Sequence, residues 1–436
     1  MKPLKRYWHA VKTVPENCDG CMQCLRTCPT QAMRIRDKQP IILEDVCIDC
    51  GACIASCPRK AVVPDVDSFK VASLFKYRVA VPSPVLYAQF GLDISVREIH
   101  LALNVLGFDY IYDVFAACLI EAMAIEKHLS NSGGANRKPL ISAMCPAVVR
   151  LIQVKYPSLV GSVLPFEPPR ELSAREAKIK IAHKHGVEIA DVGAFYISPC
   201  PAKSVSILQP AEKEHSFLDG AYAISDIYIP LHKAIKNLKP EAIAAFPQEA
   251  CVFGSGWERT GFMSRSLNVR NWIAVSGLPH VVSILDHLEE GKLEGVAFVE
   301  ANACMEGCVG GALCVENLYV ARSKTLMMER DHDPITKPDD NWVAQLYNNG
   351  YFFMEKELKP RRRKGPASSI PERILRMKRR DELSRKLPGL DCCACGSPSC
   401  LSFAEDVIGQ HTDLKSCPFL SETNIKIDGD HRTPES

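Results

Sequence analysis

From Lys70 onward, short apolar runs alternate with stretches of helical periodicity. Tyr77-Arg-Val-Ala-Val-Pro reads as a buried strand, and Ile94 to Leu106 carries apolar residues at helical spacing before Gly107. Phe108-Asp-Tyr-Ile-Tyr-Asp-Val reads as the next strand, and further strands are predicted near 138–144, 194–198, 272–276 and 296–301. Such alternation predicts largely parallel sheets covered by helices. The pattern breaks on either side of this region. Residues 1–66 are short-segmented and cysteine-rich. Residues 359–386 hold 12 Lys/Arg against 3 Asp/Glu with Pro360, Pro366 and Pro371, which predicts a tether passing into a basic helix from Glu372 to Leu383. The expected division is 1–66, 70–350, a linker at 359–386, and a small module at 389–420.

The chain has 436 residues and a formal charge of +2, so no overall field argues for nucleic acid. No apolar stretch of about 18 residues predicts a membrane span. The N-terminal Met-Lys-Pro-Leu-Lys-Arg-Tyr-Trp-His lacks an apolar stretch behind its charges, and no secretory signal is expected. Against this ordinary background stand 20 cysteines. In the cytoplasmic setting expected here, thiols stay reduced and read as metal ligands or catalysts rather than disulfides.

Residues 18–28 read C-x2-C-x2-C-x3-C-P, and residues 47–57, with Pro58, repeat it. In two-cluster ferredoxins the fourth cysteine of each such run ligates the other cluster. Cys18, Cys21, Cys24 and Cys57 are therefore expected to hold one 4Fe–4S cubane, and Cys47, Cys50, Cys53 and Cys28 a second. Zinc would not need two interlocked runs of four. A third group, Cys392-x2-Cys395-Gly with Cys400 and Cys417-Pro418, resembles the small 4Fe–4S domain appended to several anaerobic electron-transfer proteins. That resemblance implies Cys392, Cys395, Cys400 and Cys417 as ligands, with Cys393 as the competing choice.

Four more cysteines lie in three distant segments, each placed just after a predicted strand, where open α/β sheets gather ligands. They are Ser-Ala-Met-Cys145-Pro-Ala-Val-Val-Arg-Leu, Ser-Pro-Cys200-Pro-Ala-Lys and Glu-Ala-Asn-Ala-Cys304-Met-Glu-Gly-Cys308-Val-Gly-Gly. Together the segments resemble the three signature motifs of the FeFe hydrogenases, over roughly residues 70–350. The resemblance implies a two-lobed α/β hydrogenase domain beside an N-terminal α+β ferredoxin-like domain and the small C-terminal iron–sulfur domain. It implies an H-cluster: a cubane on Cys145, Cys200, Cys304 and Cys308, with Cys308 bridging to a di-iron unit carrying CO, cyanide and a dithiolate. Lys203 would donate to a cyanide, and Ser83 to the second cyanide or the dithiolate. Glu258 lies in a segment resembling one near the cofactor pocket. Glu121 and Glu167 fall near the usual relay positions, although solvated carboxylates are the default reading. Cys118, Cys251 and Cys314 read as buried small hydrophobes.

The departures bear on rate. Catalytic members carry a proton-shuttling cysteine where this chain has Met144, whose thioether has no proton to give. Ser206 stands where a relay glutamate is usual, and Asn302 where a methionine is. These changes resemble the sensory branch, which binds hydrogen but turns over slowly. The expected function is slow, reversible interconversion of H2 with protons and electrons, serving hydrogen or redox sensing. The rivals are an ordinary hydrogenase with another proton route and an iron–sulfur scaffold protein without the di-iron unit. Expected partners are a ferredoxin-like electron carrier, di-iron maturation proteins, a signalling partner at the C-terminal region and a second copy of the chain.

Overall fold

The computed structural model describes residues 8–67, 73–131, 138–247, 256–330, 338–361 and 370–420. Cys251, Arg362 and Arg363 lie outside them. The chain divides into two compact units. One comprises Met1–Lys12, Ile48–Gly51 and Pro64–Arg362; the other comprises Thr13–Cys47, Ala52–Val63 and Arg363–Ser436.

In chain order the strands are β1 (Val11–Thr13), β2 (Met33–Arg36), β3 (Gln39–Ile42), β4 (Val62–Pro64), β5 (Tyr77–Pro82), β6 (Tyr110–Ile111), β7 (Leu140–Ile141), β8 (Val192–Ser198), β9 (Gly220–Ala223), β10 (Trp272–Ser276) and β11 (Phe298–Asn302). The larger unit holds two all-parallel sheets, ordered β6-β5-β8-β9 and β10-β11-β7. Every residue of β8 is buried, as a central strand covered on both faces requires. The predicted strands appear at 77–82, 192–198, 272–276 and 298–302, while those expected at 108–114 and 138–144 shrink to two-residue strands. Strand β9 was not foreseen: Gly-Ala-Tyr-Ala is too short and too poor in branched residues to stand out. The predicted helix at 94–106 forms over Val96–Val105, closed at its start by a capping box between Ser95 and Glu98.

At the edge of this core, Tyr87 donates a 2.5 Å hydrogen bond to Asp113, and His100 Nε2 stands 2.8 Å from the same hydroxyl. Burial pushes the Asp113 carboxyl up to about 7, only partly opposed by the bond from Tyr87. An aspartate held neutral when folded but ionised near pH 3.9 when unfolded stabilises fully below that value, and the gain fades as pH rises through 7. Denaturant unfolding of Asp113→Asn should therefore lose the part of the stability slope between about pH 4 and pH 7; an unchanged slope would show that Asp113 ionises freely.

The smaller unit is built on the cysteine repeat. Helices Gln23–Thr27 and Ala52–Ser56 stand 29 residues apart, and the left-handed positions repeat at the same interval: Gly20 and Asp49, Met22 and Gly51, Gln31 and Lys60. The β2–β3 hairpin turns through Asp37 and Lys38, at φ of 50° and 62°, the type I′ geometry favoured by twisted strands. The C-terminal module belongs to this unit. Gly396 O accepts from Ile35 N at 2.9 Å, and Asp406 accepts from Arg34 Nε at 2.5 Å and from Arg36 at 2.7 Å. Residues 389–420 were expected to stand by themselves; instead they pack on β2, which the sequence separation concealed. The basic helix runs over Ile370–Lys386, and its last turns are more than a tether. Leu383 and Leu387 pack with Phe403, and Arg380 pairs with Glu405 at 3.3 Å.

Candidate functional site: four thiols around a buried lysine

Cys145 and Cys304 follow β7 and β11 of one sheet, while Cys200 follows β8 of the other. Cys145 and Cys200 each cap a helix whose first residue is proline, Pro146 and Pro201. A proline there costs no hydrogen bond, and the free N–H groups of the helix start favour negative sulfur. Cys308 begins a short 3-10 turn after Gly307, which has φ of 87°. A Cβ on Gly307 would strike the Glu258 carbonyl, on Gly310 the Met305 carbonyl, and on Gly311 the Pro199 carbonyl. These glycines let three backbone segments close on one another.

The thiols feel one another. Burial pushes Cys304 and Cys308 well above the ordinary thiol range. Cys200, Cys145 and Cys308 add to the rise of Cys304, while Lys203 opposes that of Cys308 and Glu258, Cys200 and Cys145 add to it. Burial also raises Cys200, with Lys203 opposing and Cys145 adding to it. Cys200 is buried and Cys145, Cys304 and Cys308 are half-buried; multiply charged metal would satisfy four such thiolates at once. The donor set therefore fits a cubane iron–sulfur cluster.

Beside Cys308 lies a buried ion pair. Lys203, 2% exposed, donates to Glu258, to Tyr196 Oη at 3.2 Å and to Cys308 Sγ at 3.4 Å. Burial pulls the lysine pKa down, but Cys308, Glu258 and Tyr196 more than offset it and hold the ammonium charged. Ser83, which caps the 3-10 turn after β5, donates to the other Glu258 oxygen, and Tyr196 donates to the first at 3.0 Å. Cys308 N also donates to the Glu258 carbonyl at 2.8 Å. Met144 shares a pocket with Lys203, Glu258, Tyr196, Cys118 and Arg170.

The structure thus brings Ser83, Met144 and Lys203 together around Glu258, and Lys203 reaches Cys308. Tyr196 and Arg170 were not singled out from sequence. Tyr196 lies four residues before Cys200 on β8, a spacing that could have marked it; Arg170 carries no local signal. Ser206 accepts from Arg170 at 2.9 Å, and Asn302 ends β11. Cys118 is fully buried in the core, whereas Cys314, also driven up by burial to about 12, donates to the Cys308 carbonyl at 3.5 Å. Glu121 and Glu167 are not solvated as the default reading held. Burial raises both, and Glu167 is paired with Lys213 at 2.9 Å.

The loop Ile48–Gly51 reaches this site within the larger unit. Gly51 has φ of 76°, and a Cβ on it would lie 2.7 Å from Ala312 Cβ and 3.1 Å from the Pro201 ring. Cys50 adds to the field on Cys304. In the smaller unit, Cys18, Cys21, Cys24 and Cys57 line one pocket, the crossed set. Cys53 is raised by burial and then by Cys47 and Cys28. Ala32 N and Ala61 N donate to Cys28 Sγ and Cys57 Sγ at 3.1 and 3.2 Å, again 29 residues apart. Cys392, Cys395, Cys400 and Cys417 line another pocket. Cys393 lines the same pocket, but its Sγ donates to the carbonyls of Asp391 and Pro398 at 3.7 and 3.6 Å. Those acceptors suit a protonated thiol and would repel a thiolate ligand.

Clustered thiols on parallel sheets beside a ferredoxin-type repeat define an iron–sulfur redox protein. Residues 76–244 match the family described as iron only hydrogenase large subunit, C-terminal domain. Residues 17–61 match a 4Fe-4S dicluster domain and residues 387–419 a putative Fe-S cluster domain. The NADP-reducing hydrogenase subunit HndD of Solidesulfovibrio fructosivorans is 25% identical over 390 residues, covering 73% of this chain and 65% of its own. Iron hydrogenase 1 of Clostridium pasteurianum is 25% identical over 179 residues, 38% of this chain and 30% of its own. The chain thus spans less than two thirds of either relative. The FeFe-hydrogenase HydA1 of Chlamydomonas reinhardtii shares the fold, with a TM-score of 0.50 at 14% identity over 65% of this chain and 94% of that one. No helix among the described residues is long and apolar enough to cross a membrane.

Proposed function

We propose that this protein binds H2 and interconverts it slowly with protons and electrons, acting in the cytoplasm as a hydrogen or redox sensor. The observation that carries this reading is the buried Lys203–Glu258 pair against Cys308, within the thiol quartet. A scaffold holding a cubane alone would have no use for a charged lysine kept dry beside one sulfur, because burying an ion pair costs several kcal/mol per ion before the attraction is counted. Cys145, Cys200, Cys304 and Cys308 would hold the cubane, with Cys308 also facing the di-iron unit. When bound, that unit supplies the open iron site at which H2 is split or formed.

The chain's own groups do the rest. Lys203 supplies positive charge and a donor at the Cys308 side. Glu258 keeps that lysine charged and is itself oriented by Ser83 and Tyr196. Glu258 is also a carboxylate of the pocket that Met144 lines, and it would pass a proton where the thioether cannot. Accessory cubanes on Cys18, Cys21, Cys24 and Cys57, and on Cys47, Cys50, Cys53 and Cys28, carry electrons to a ferredoxin-like acceptor. The close packing of Gly51 against Pro201 and Ala312 supports electron passage at that end. Maturation proteins would install the di-iron unit, and a signalling partner and a second copy of the chain complete the proposed setting.

Infrared spectroscopy after anaerobic maturation tests the reading. Bands of iron-bound CO and cyanide are expected; a matured protein with a full cubane complement and no such bands would be a scaffold. The third accessory cluster has its own test. Cys392→Ser or Cys417→Ser should remove one cubane, about four irons, while Cys393→Ser leaves the iron content unchanged. Iron lost only with Cys393 would reverse the ligand assignment.

A further inference from the structure

The hairpin strand β2 touches residues of two of the cysteine sites. Ile35 lines the pocket of Cys18, Cys21, Cys24 and Cys57. Ile35 N also donates to Gly396 O at 2.9 Å, one residue beyond Cys395. Gly396 has φ of 74°, and a Cβ on it would collide with the Ile35 carbonyl, so only glycine permits this approach. Arg36 reinforces it by donating to the Cys395 carbonyl at 3.2 Å and to Ser397 Oγ at 2.8 Å.

What holds the strand and the module together is a buried ionic clamp. Arg34, 5% exposed, and Arg36 converge on Asp406, 5% exposed, which Ser397 Oγ also approaches at 2.7 Å. Two guanidinium groups on one buried carboxylate fix geometry better than an apolar contact, which tolerates sliding. An ordinary tethered module would need neither. Buried ion triads add little net stability over apolar packing, so their value lies in register.

We propose that β2 and the C-terminal module form one electron-transfer unit, with Arg34, Arg36 and Asp406 as positioning residues that hold the Cys392 and Cys18 sites together at Ile35. This rests on reading both sites as 4Fe–4S sites. The transfer is one electron between two clusters: one is oxidised, the other reduced, and no bond or proton moves. The C-terminal site is then an outer terminal of the chain's redox path rather than an appended domain on a flexible lead.

The test uses full-length holoprotein reduced with dithionite. Wild type should show paramagnetic coupling between the clusters at Cys392 and Cys18, which Cys392→Ser abolishes. Asp406→Asn should keep its iron but lose that coupling, and the Ile35 amide should exchange with deuterium roughly tenfold faster or more. Should Asp406→Asn fail to fold, Arg36→Gln keeps the Arg34–Asp406 pair and should weaken the coupling part-way. Both clusters present without coupling in wild type, or coupling that survives in the variants with Ile35 still protected, overturns the inference while the cluster reading stands. No cluster at Cys392 in wild type sinks both.

Discussion

Replacing Lys203 by methionine should cost more than any other single change near the thiol quartet. The methionine fills the volume but leaves Glu258 buried with no cation, and removing one partner of a buried pair commonly costs about 3–5 kcal/mol. Glu258 would keep the hydroxyls of Ser83 and Tyr196, which soften the loss without supplying charge. Thermal unfolding of the cubane-loaded protein should therefore begin at clearly lower temperature. The infrared bands expected of the di-iron unit should also be absent or shifted, because the donor facing Cys308 is gone. The double variant Lys203→Met with Glu258→Gln separates these effects. It removes the orphaned charge, so stability should largely return, while the bands and hydrogen turnover should not. Full recovery of both would reduce the pair to a structural fixture and remove the chief support for the hydrogenase-like reading.

The parts of this fold legible in sequence were those whose signal is local. The 29-residue cysteine repeat reappears in backbone conformation and N–H···S bonds because each run is a self-contained turn–helix. Strands β5, β8 and β11 were visible as dense apolar runs, and the thiol quartet because its three segments resemble the FeFe-hydrogenase motifs and fall after strands. The rest depends on long-range meetings. Glu258 reaches Lys203 across 55 residues, and Asp406 reaches Arg34 across 372. Neither arginine carries a mark in its own segment; on a short exposed-looking hairpin both would pass for solvated charge. The ambiguity between Cys392 and Cys393 was likewise a matter of direction. Cys393 has φ of 65° and its sulfur reaches the carbonyls of Asp391 and Pro398, and no sequence pattern reveals the sign of a torsion.

Met144→Cys should raise hydrogen turnover by more than about tenfold, equivalent to lowering the barrier by some 1.4 kcal/mol. A positioned proton donor commonly contributes ~10²–10⁴-fold, so even an imperfectly placed thiol should show. Position 144 lines the pocket that also holds Lys203, Tyr196 and Glu258, so a thiol there would stand beside two proton-bearing groups, Lys203 and Tyr196. Wild type must use water or a carboxylate instead, and Glu258 is committed to Lys203. Its proton exchange therefore competes with keeping that lysine paired. Hydrogen binding needs no such exchange and should survive in wild type, which leaves an occupied or reduced state long-lived enough for a partner to register. The decisive comparison is hydrogen evolution by matured wild type and variant, with infrared spectra showing equal di-iron content. A wild type as fast as catalytic relatives, or a variant no faster than wild type, would mean that proton delivery at this position does not limit the rate. The slow cycle proposed for sensing would then need another physical cause, and the buried carboxylates Glu121 and Glu167, both raised by burial, would be the first places to seek it.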